Sequence, residues 1–402
     1  MQKTPKSMRL HIGIVGRTNV GKSSFLNLIT GQDVAITSPV GGTTTDVVEK
    51  PMELLPIGPV VFLDTGGLDD ESDLAPLRIK KTVKVFDRSD IVVVVVEPNV
   101  WTEFEEKIAA DAKEKNIPLC IVVNKADKEK LSEDFINTIK AYTESFILAE
   151  SLDITKRNQY VCAFKEMIIK ICPDDFINPP LLMSDLVPKG GTAVLIVPID
   201  LEAPKGRIIL PQVQVLRDVL DNDAVCIVVK ESEYLSVLSN LKNPPDIVVC
   251  DSQVVLKMVK ETPPNVKCTT FSILFSRYKA DILEMVKGAK AIDTLQDGDK
   301  ILVAETCTHH AVEDDIGRVK LPRWLKEYKG KKIDFETYAG LDYPENLEDY
   351  SLIIHCGGCM INRKYMLSRI EKAKVKNIPV TNYGLAISYV QGVFDRVLEP
   401  FI

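Results

Sequence analysis

The stretch GRTNVGKSS, residues 16–24, decides the fold of the first part of this chain. It follows the apolar run LHIGIVG, which is typical of a buried strand, and its last residues begin GKSSFLNLITG, which has helical spacing and ends at Gly31. In a strand–loop–helix unit, the pattern G-x-x-x-x-G-K-S turns successive backbone N–H groups toward phosphate oxygens at a helix N-terminus. We therefore expect residues 16–24 to bind the phosphates of a nucleotide.

The side chains of this loop have separate expected roles. The ammonium of Lys22 would reach the β- and γ-phosphates, and the hydroxyl of Ser23 would bind Mg²⁺. The other loop residues expected to contact the nucleotide are Gly16, Asn19, Gly21 and Ser24.

Two further motifs supply expected contacts to Mg²⁺ and to the γ-phosphate. DTGG ends a strand, so Asp64 would hold the Mg²⁺ shell and the amide of Gly66 would meet the γ-phosphate. GGTTTD, residues 41–46, offers a threonine that would join Mg²⁺ when a flexible loop closes. The residues that compete for this role are Thr43, Thr44 and Thr45.

The motif NKAD, Asn124, Lys125, Ala126 and Asp127, predicts which base is bound. The carboxylate of Asp127 can accept two N–H groups from the edge of guanine, a pairing that adenine does not offer. The motif thus selects GTP or GDP. ESLD, residues 150–153, is a weaker candidate for a second loop that contacts the base.

Together these motifs resemble those of the translation-factor-related GTPases, in particular the branch that includes the tRNA-modifying MnmE and the ribosome-associated Era. The resemblance implies that Thr44 is the magnesium threonine and that Asn19 helps to hold a K⁺ ion against the phosphates. Leu68 stands where Ras-like proteins have a water-orienting glutamine, and leucine cannot polarise water. The resemblance therefore implies slow hydrolysis, stimulated by K⁺ and by ordering of the loop at 37–46. DDE at 69–71 either orients the water or is a solvated loop.

The bulk composition is that of a water-soluble globular chain. Of its 402 residues, 45% are apolar and 27% are charged, and the net charge is −7. The longest apolar run, IVVVVVEP from Ile91, is too short to span a bilayer, and the N-terminus has no signal-peptide pattern. We expect a cytoplasmic protein that contacts no membrane, and its acidity argues against a nucleic-acid partner.

The chain length and the pattern of its elements predict an α/β protein of three domains. Strand-like and helix-like segments alternate, which favours mainly parallel sheets covered by helices. A P-loop GTPase fold is expected first, and two smaller α/β domains follow it. The predicted boundaries are 1–172 for the nucleotide-binding domain, 173–191 for a proline-rich linker, 192–268 for a middle domain and 269–402 for a last domain.

Two clusters near the end of the chain gather three of its nine cysteines and three of its four histidines. They are CTHH at 307–310 and HCGGC at 355–359. A structural zinc would need four ligands, which Cys307, His309, Cys356 and Cys359 would supply. A redox dithiol would leave CTHH unexplained, and an iron–sulfur cluster usually takes four thiolates where only three are at hand. From the residues alone, zinc is favoured over the other two.

The pattern C-x-H followed by H-C-x-x-C, downstream of the GTPase motifs, resembles the FeFe-hydrogenase maturation GTPase family, HydF, over the whole chain. The resemblance implies that Cys307, Cys356 and Cys359 hold a 4Fe–4S cluster with one iron lacking a cysteine. An exchangeable fourth ligand is expected from residues 309–315, and His355 instead has an expected second role, a hydrogen bond to a cluster sulfur. The candidate fourth ligands are His309, His310, His355, Glu313, Asp314 and Asp315.

The same resemblance implies a function and partners. The middle domain would form a homodimer, and the last domain would carry the cluster. A two-iron precursor would come from radical-SAM maturases and pass to apo FeFe-hydrogenase, so that the chain acts as a scaffold and carrier. The alternative is an RNA- or ribosome-associated GTPase with a structural zinc site in its last domain.

Overall fold

A computed structural model of the chain describes residues 4–31, 48–64, 83–199, 206–307 and 315–402. The chain divides into two compact units, Met1–Pro179 and Pro180–Ile402. Among the described residues, no helix is both long enough and apolar enough to cross a membrane.

The first unit is built on a six-stranded sheet. Its strands are β1 (Leu10–Val15), β2 (Val48–Leu54), β3 (Gly58–Asp64), β4 (Ile91–Val96), β5 (Leu119–Asn124) and β6 (Phe146–Ala149). The spatial order is β2-β3-β1-β4-β5-β6, and β2 pairs with β3 in antiparallel fashion whereas all other pairs are parallel. The helices are α1 (Lys22–Thr30), α2 (Glu103–Glu114), α3 (Glu133–Lys140), α4 (Arg157–Ile171) and α5 (Asp174–Ile177), and residues 83–88 are also helical.

This sheet is buried on both faces, which explains why its central strands are continuous apolar runs. Every residue of β1, β4 and β5 is buried. On one face Phe25 of α1 packs edge-on against Phe164 of α4, with ring centroids 5.5 Å apart. On the other face Ile108 of α2 packs in a second core. The two apolar layers hold the carboxyl ends of the strands, where the predicted nucleotide motifs lie.

The second unit contains two four-stranded sheets. The strands of the first are β7 (Thr192–Ile196), β8 (Val225–Val229), β9 (Ile247–Cys250) and β10 (Lys267–Thr270), in the order β10-β9-β7-β8. The strands of the second are β11 (Lys300–Ala304), β12 (Asp334–Tyr338), β13 (Leu352–His355) and β14 (Val380–Asn382), in the order β12-β11-β13-β14. All pairs in both sheets are parallel.

Helices cover both of these sheets. They are α6 (Leu210–Asp221), α7 (Tyr234–Asn240), α8 (Val255–Glu261), α9 (Phe271–Lys279), α10 (Ile282–Lys290), α11 (Leu321–Lys329), α12 (Arg363–Val375), α13 (Tyr383–Val390) and α14 (Phe394–Leu398), with a π-helical stretch at Ile316–Lys320. One hydrophobic core runs through both sheets, since it contains Val194 and Val248 of the first and Leu302 and Ile353 of the second.

The structure confirms the predicted fold class, an N-terminal P-loop GTPase fold followed by two α/β sheets with parallel strands. One element differs from the expected pattern. The sequence ILFSRYKADILEMVKGAK, from Ile273 to Lys290, has helix-like spacing throughout, but α9 ends at Lys279 and α10 begins at Ile282. Ala280 is extended, and the carboxylate of Asp281 accepts a hydrogen bond from the amide of Leu283 at 2.8 Å. Asp281 is thus an N-cap that starts a new helix. The predicted domain boundaries stay predictions.

Candidate functional site

Two glycines of the phosphate-binding loop are required by close backbone packing. A Cβ atom at Gly16 would lie 2.4 Å from the carbonyl oxygen of Val95. A Cβ at Gly21 would lie 2.2 Å from Nδ2 of Asn124, and Gly21 has a φ of 93°. Asn19 also has a positive φ, 65°, which asparagine tolerates better than most residues. The loop therefore has the backbone form that the sequence pattern predicts.

Polar side chains of the loop and one carboxylate outside it, that of Glu105, fix the position of the loop. The guanidinium of Arg17 donates to Glu105 at 2.7 Å, and Glu105, at the first turn of α2, is fully buried. The other carboxylate oxygen of Glu105 accepts from the backbone and hydroxyl of Thr102, which closes a capping box. The buried ammonium of Lys22 donates to the carbonyl of Arg17 at 2.8 Å. Glu105 was not identified from the sequence, because its partner in the loop is distant along the chain.

Asn124 joins the loop to the candidate base-binding segments. Its amide donates to the carbonyl of Val20 at 2.8 Å. Its side-chain oxygen accepts from the amide of Ser151 at 3.1 Å and from the hydroxyl of Ser151 at 2.6 Å. Asn124 is 2% exposed, so these contacts make it a structural bridge between the phosphate loop and ESLD.

Lys125 lies against the phosphate loop as well. Its ammonium donates to the carbonyl of Asn19 and to the carboxylate of Glu97, both at 2.6 Å. The hydrogen bond from Lys125 lowers the pKa of Glu97. The sequence predicted a nucleotide contact for Lys125, and the structure adds a second role in fixing the backbone at Asn19.

One cavity of about 660 Å³ gathers most of the predicted nucleotide residues. Its lining includes Asn19, Gly21, Lys22, Ser23, Ser24, Asn124, Lys125 and Asp127, together with Lys128, Glu150, Ser151, Leu152 and Asp153. The ESLD segment, weak as a sequence signal, thus lies in the same cavity as NKAD. A volume of this size suits a nucleotide.

The predicted magnesium residues are only partly within the described residues. Asp64 is the last residue of β3 and is 1% exposed. Its neighbour in the fold is Lys50 of β2, whose pKa is lowered by burial and raised by the charge of Asp64. Thr44 and Gly66 lie outside the described residues, as do Leu68 and DDE at 69–71.

The three predicted cluster cysteines come from adjoining strand ends of the second unit. Strands β11 and β13 are parallel neighbours with Ala304 opposite His355. Cys356, which follows β13 directly, donates its amide to the carbonyl of Ala304 at 3.0 Å, and its sulfur accepts from the amide of Thr306 at 3.2 Å. Burial raises the pKa of Cys307 to about 12, and the charges of Cys356 and Cys359 act in the same direction. The three thiols therefore lie close enough to interact electrostatically.

The chemistry of the donor set allows an iron–sulfur cluster. Cysteine sulfurs are the usual ligands of such a cluster, and Cys307, Cys356 and Cys359 follow neighbouring strands of one parallel sheet. Among the described residues, no group of three or more histidine, cysteine or acidic side chains is placed to hold one metal ion, and His309 and His310 lie outside those residues. Since burial also raises the pKa of Cys359, to about 11, thiolates here would need a bound cation.

The candidate fourth ligands differ in what is known of their positions. His309, His310, Glu313 and Asp314 lie outside the described residues. Asp315 is buried, and its carboxylate accepts from the amide of Arg318 at 2.9 Å, which caps the π-helical stretch. The fully buried ring of His355 has no hydrogen-bond partner among the described residues and stacks on Tyr343, with centroids 5.8 Å apart. Burial lowers the pKa of His355 to about 3, and the charge of Arg369 contributes.

A lysine that the sequence did not single out reaches the cysteine loop. Lys279, the last residue of α9, is 1% exposed, and its ammonium donates to the carbonyls of Gly358, at 2.7 Å, and Ile361. Burial lowers the pKa of Lys279 to about 8, while the charges of Cys359 and Cys356 raise it. No local pattern identifies this lysine, because its partners follow some 80 residues later in the chain.

Three family models match successive parts of the chain. The model of the 50S ribosome-binding GTPase matches residues 11–125. The hydrogen maturase F dimerization domain matches residues 182–280, and the hydrogen maturase F tetramerization domain matches residues 283–400. The last two cover both sheets of the second unit.

Curated relatives match only the first part of the chain. The tRNA modification GTPase MnmE of Synechococcus sp. is 40% identical over 118 residues, which are 29% of this chain and 25% of that protein. The GTPase Era of Haemophilus ducreyi is 30% identical over 173 residues, 42% of this chain and 57% of that one. The chain thus covers about a quarter to a third of the length of the MnmE proteins.

A crystal structure of Aquifex aeolicus Era bound to GDP and AlF₄⁻ covers 55% of this chain and 93% of its own, with 20% identity and a TM-score of 0.33. This likeness is too low to support a conclusion. The family models are more informative, because a GTPase domain is followed by two domains specific to one family. The chain carries a GTPase domain whose site suits GTP or GDP with Mg²⁺, and it belongs to the hydrogen maturase F family.

Proposed function

We propose that this chain is a GTPase that serves as a scaffold and carrier of a metal cluster in the maturation of FeFe-hydrogenase. The observation that carries the proposal is the convergence of Cys307, Cys356 and Cys359 at the adjoining ends of β11 and β13. The same chain carries a nucleotide-sized cavity in its first unit. Neither feature alone would separate this function from that of other GTPases.

In the nucleotide site, each predicted residue has a separate role in binding or hydrolysis. On GTP binding, Lys22 would exchange the carbonyl of Arg17 for the β- and γ-phosphates, and Ser23 and Thr44 would hold Mg²⁺. Asp64 would orient the magnesium shell, and the amide of Gly66 would contact the γ-phosphate. Asp127 would select guanine, and Asn19 would help to hold a K⁺ ion that stimulates hydrolysis.

In the cysteine site, Cys307, Cys356 and Cys359 would hold a 4Fe–4S cluster. When bound, the cluster supplies an iron without a cysteine ligand, to which a two-iron cargo attaches. His309, His355 and Asp314 remain the candidates for an exchangeable ligand to that iron.

The partners of this function are those that must supply and accept the cargo. Radical-SAM maturases would deliver the two-iron precursor, and apo FeFe-hydrogenase would accept it. The carrier would act as a homodimer, which forms through the region that matches the dimerization domain. The nucleotide state acts as a timer that biases docking or release of a partner.

The test is anaerobic purification of the full chain with analysis of iron, sulfide and zinc, and EPR of the reduced sample. We expect iron and sulfide in cubane proportion and a reduced-cluster signal. Stoichiometric zinc without that signal would instead support the alternative, an RNA- or ribosome-associated GTPase with a structural zinc site.

A pair of cysteine variants separates the two sites. Cys356→Ser should lose the cluster and hydrogenase maturation while GTP turnover stays within about twofold, because the thiol and the nucleotide cavity belong to different units. The matched control is Cys162→Ser, which changes an exposed cysteine of α4 and should affect neither property. Loss of GTP turnover in Cys356→Ser alone would contradict the separation of the two sites.

A further inference from the structure

Lys279 is a buried cation to which neither the nucleotide site nor the fold assigns a role. It is 1% exposed at the end of α9 and is among the largest fully buried side chains. Among the residues that the structure describes, no carboxylate forms an ion pair with it, and the charges that act on its pKa are those of Cys359 and Cys356. An ammonium buried in this way is destabilising unless hydrogen bonds and an opposite charge compensate for it.

The ammonium of Lys279 donates to two carbonyls of the cysteine loop. Its ammonium donates to the carbonyl of Gly358 at 2.7 Å and to the carbonyl of Ile361, on either side of Cys359. Gly358 has a φ of 67°, a conformation that favours glycine, and its carbonyl also accepts from the amide of Ile361 at 3.3 Å. Lys279 thus ties together the turn that sets where the sulfur of Cys359 lies.

The two carbonyl groups satisfy hydrogen bonds but carry no net charge. Among the described residues, the negative charges that act on Lys279 are those of Cys359 and Cys356. Thiolates of Cys356 and Cys359 supply a compensating charge when they bind a metal cluster, and a reduced cluster carries one more negative charge than an oxidised one. A fixed cation in a poorly solvated place stabilises that added charge more than a solvated cation would.

We propose that Lys279 is the positioning residue of the cysteine site: it holds the loop from Cys356 to Cys359 in its ligand conformation and favours the reduced state of the bound cluster. This inference rests on the proposed function, because it concerns the cluster that the cysteines would bind. The reduction in question is the gain of one electron by the cluster from an added reductant, dithionite in the test below.

The experiment is an EPR-monitored redox titration of the full chain, reconstituted anaerobically with iron and sulfide. Lys279→Met removes the charge and the donors, Lys279→Gln removes the charge but keeps a donor, and Lys279→Arg keeps both. Lys287→Met is the matched control, since it removes the same charge from an exposed position on the neighbouring α10.

We expect Lys279→Gln and Lys279→Met to shift the equilibrium between reduced and oxidised cluster at least tenfold toward the oxidised form, which is about 59 mV for a one-electron couple. Lys279→Arg and Lys287→Met should stay within about threefold of the wild type. Iron content should fall most in Lys279→Met, because that variant alone leaves both loop carbonyls without a donor.

The outcomes separate this inference from the proposed function. If the wild type shows a cubane and Lys279→Gln has the same potential, the role of the charge is refuted while the scaffold function stands. If Lys279→Met binds too little iron to titrate, Lys279→Gln and Lys279→Arg decide, and equal potentials in these two overturn the inference. A wild type without a cubane signal refutes the proposed function, and this inference falls with it.

Discussion

His11 makes the free energy of unfolding depend on pH, and the size of this effect follows from the burial of its ring. It is the second residue of the buried strand β1, is 3% exposed, and donates a 2.9 Å hydrogen bond from Nδ1 to the carbonyl of Arg9. Burial lowers its pKa from 6.5 to about 4, and the charge of Arg88 acts in the same direction. The hydrogen bond to Arg9 and the charge of Glu49 oppose the shift but do not cancel it.

The sign of the effect on stability follows from proton uptake. As the pH falls below 6.5, the unfolded chain protonates this histidine, whereas the folded chain does so only near pH 4. The free energy of unfolding is therefore undiminished above pH 6.5 and decreases as the pH falls toward 4. At ~1.4 kcal/mol per pKa unit, the whole window corresponds to about 3 kcal/mol, of which about 2 kcal/mol is lost between pH 7 and pH 5.

The assay uses the two tryptophans of the chain, one in each unit. Trp324→Phe leaves Trp101, which stacks on Tyr142 in the first unit, as the fluorescence reporter for urea unfolding of that unit. In this background we compare His11 with His11→Gln at pH 7 and pH 5. Carboxylates titrate in both proteins, so their contribution cancels in the difference.

We expect the variant to lose about 2 kcal/mol less than its parent on this change of pH, whatever its stability at pH 7. An equal loss in the two proteins would refute the reasoning, since it would show that His11 does not resist protonation in the folded state.

Two further predictions concern the two sites. Asp127→Asn should shift the preference of the chain from GTP toward xanthosine triphosphate by at least about tenfold, because an amide reverses one hydrogen bond to the base. Competitive nucleotide binding measures this preference. Unchanged selectivity would show that Asp127 does not contact the base. Gly358→Ala should destabilise the second unit by about 1–2 kcal/mol and reduce iron loading, because Gly358 has a φ of 67° and its Cβ would lie 2.4 Å from Cε of Met366. Gly357→Ala is the control, since its Cβ would meet Phe275 at an ordinary 3.8 Å; equal unfolding curves for the two variants would contradict the argument.

Local patterns in the sequence were sufficient for the fold class and for the phosphate loop. The buried strands β1, β4 and β5 are apolar runs with no competing interpretation, and the glycine spacing at Gly16 and Gly21 reflects steric limits that apply wherever this loop occurs. The runs KILVAE and YSLIIHC are strand-like from the sequence alone, and the strands that they form end at Ala304 and His355, which brings the cysteines to one edge of a parallel sheet.

What sequence reasoning missed depends on partners far apart in the chain. The bond from Asn124 to Ser151 spans 27 positions, and the bond from Lys279 to Gly358 spans 79. The break between α9 and α10 was missed for a different reason. Asp281 has the chemistry of an N-cap, but the apolar residues on both sides keep helical spacing, so the pattern conceals the break.

The surroundings of the cysteine site hold buried charges of both signs, and the carboxylates are those of Glu305 and Asp315. The chain has a net charge of −7, yet two cations are buried in this region, Lys279 and Arg369, each 1% exposed. The guanidinium of Arg369 lies over Tyr343 and Tyr365, at 4.8 and 4.6 Å from the ring centroids, and within the described part of the chain its Nε and Nη1 atoms have no hydrogen-bond partner.

Apolar side chains of similar volume would pack in these places without the cost of desolvating a charge. A cation near the cysteines stabilises a thiolate more than it stabilises a neutral thiol. Burial raises the pKa of Cys307 and of Cys359; the charge of Glu305 adds to the shift at Cys307, whereas the charge of Lys279 opposes it at Cys359. Of the two cations, Lys279 is therefore the one that favours a thiolate in the cysteine loop, and a bound metal must supply the rest of the positive charge.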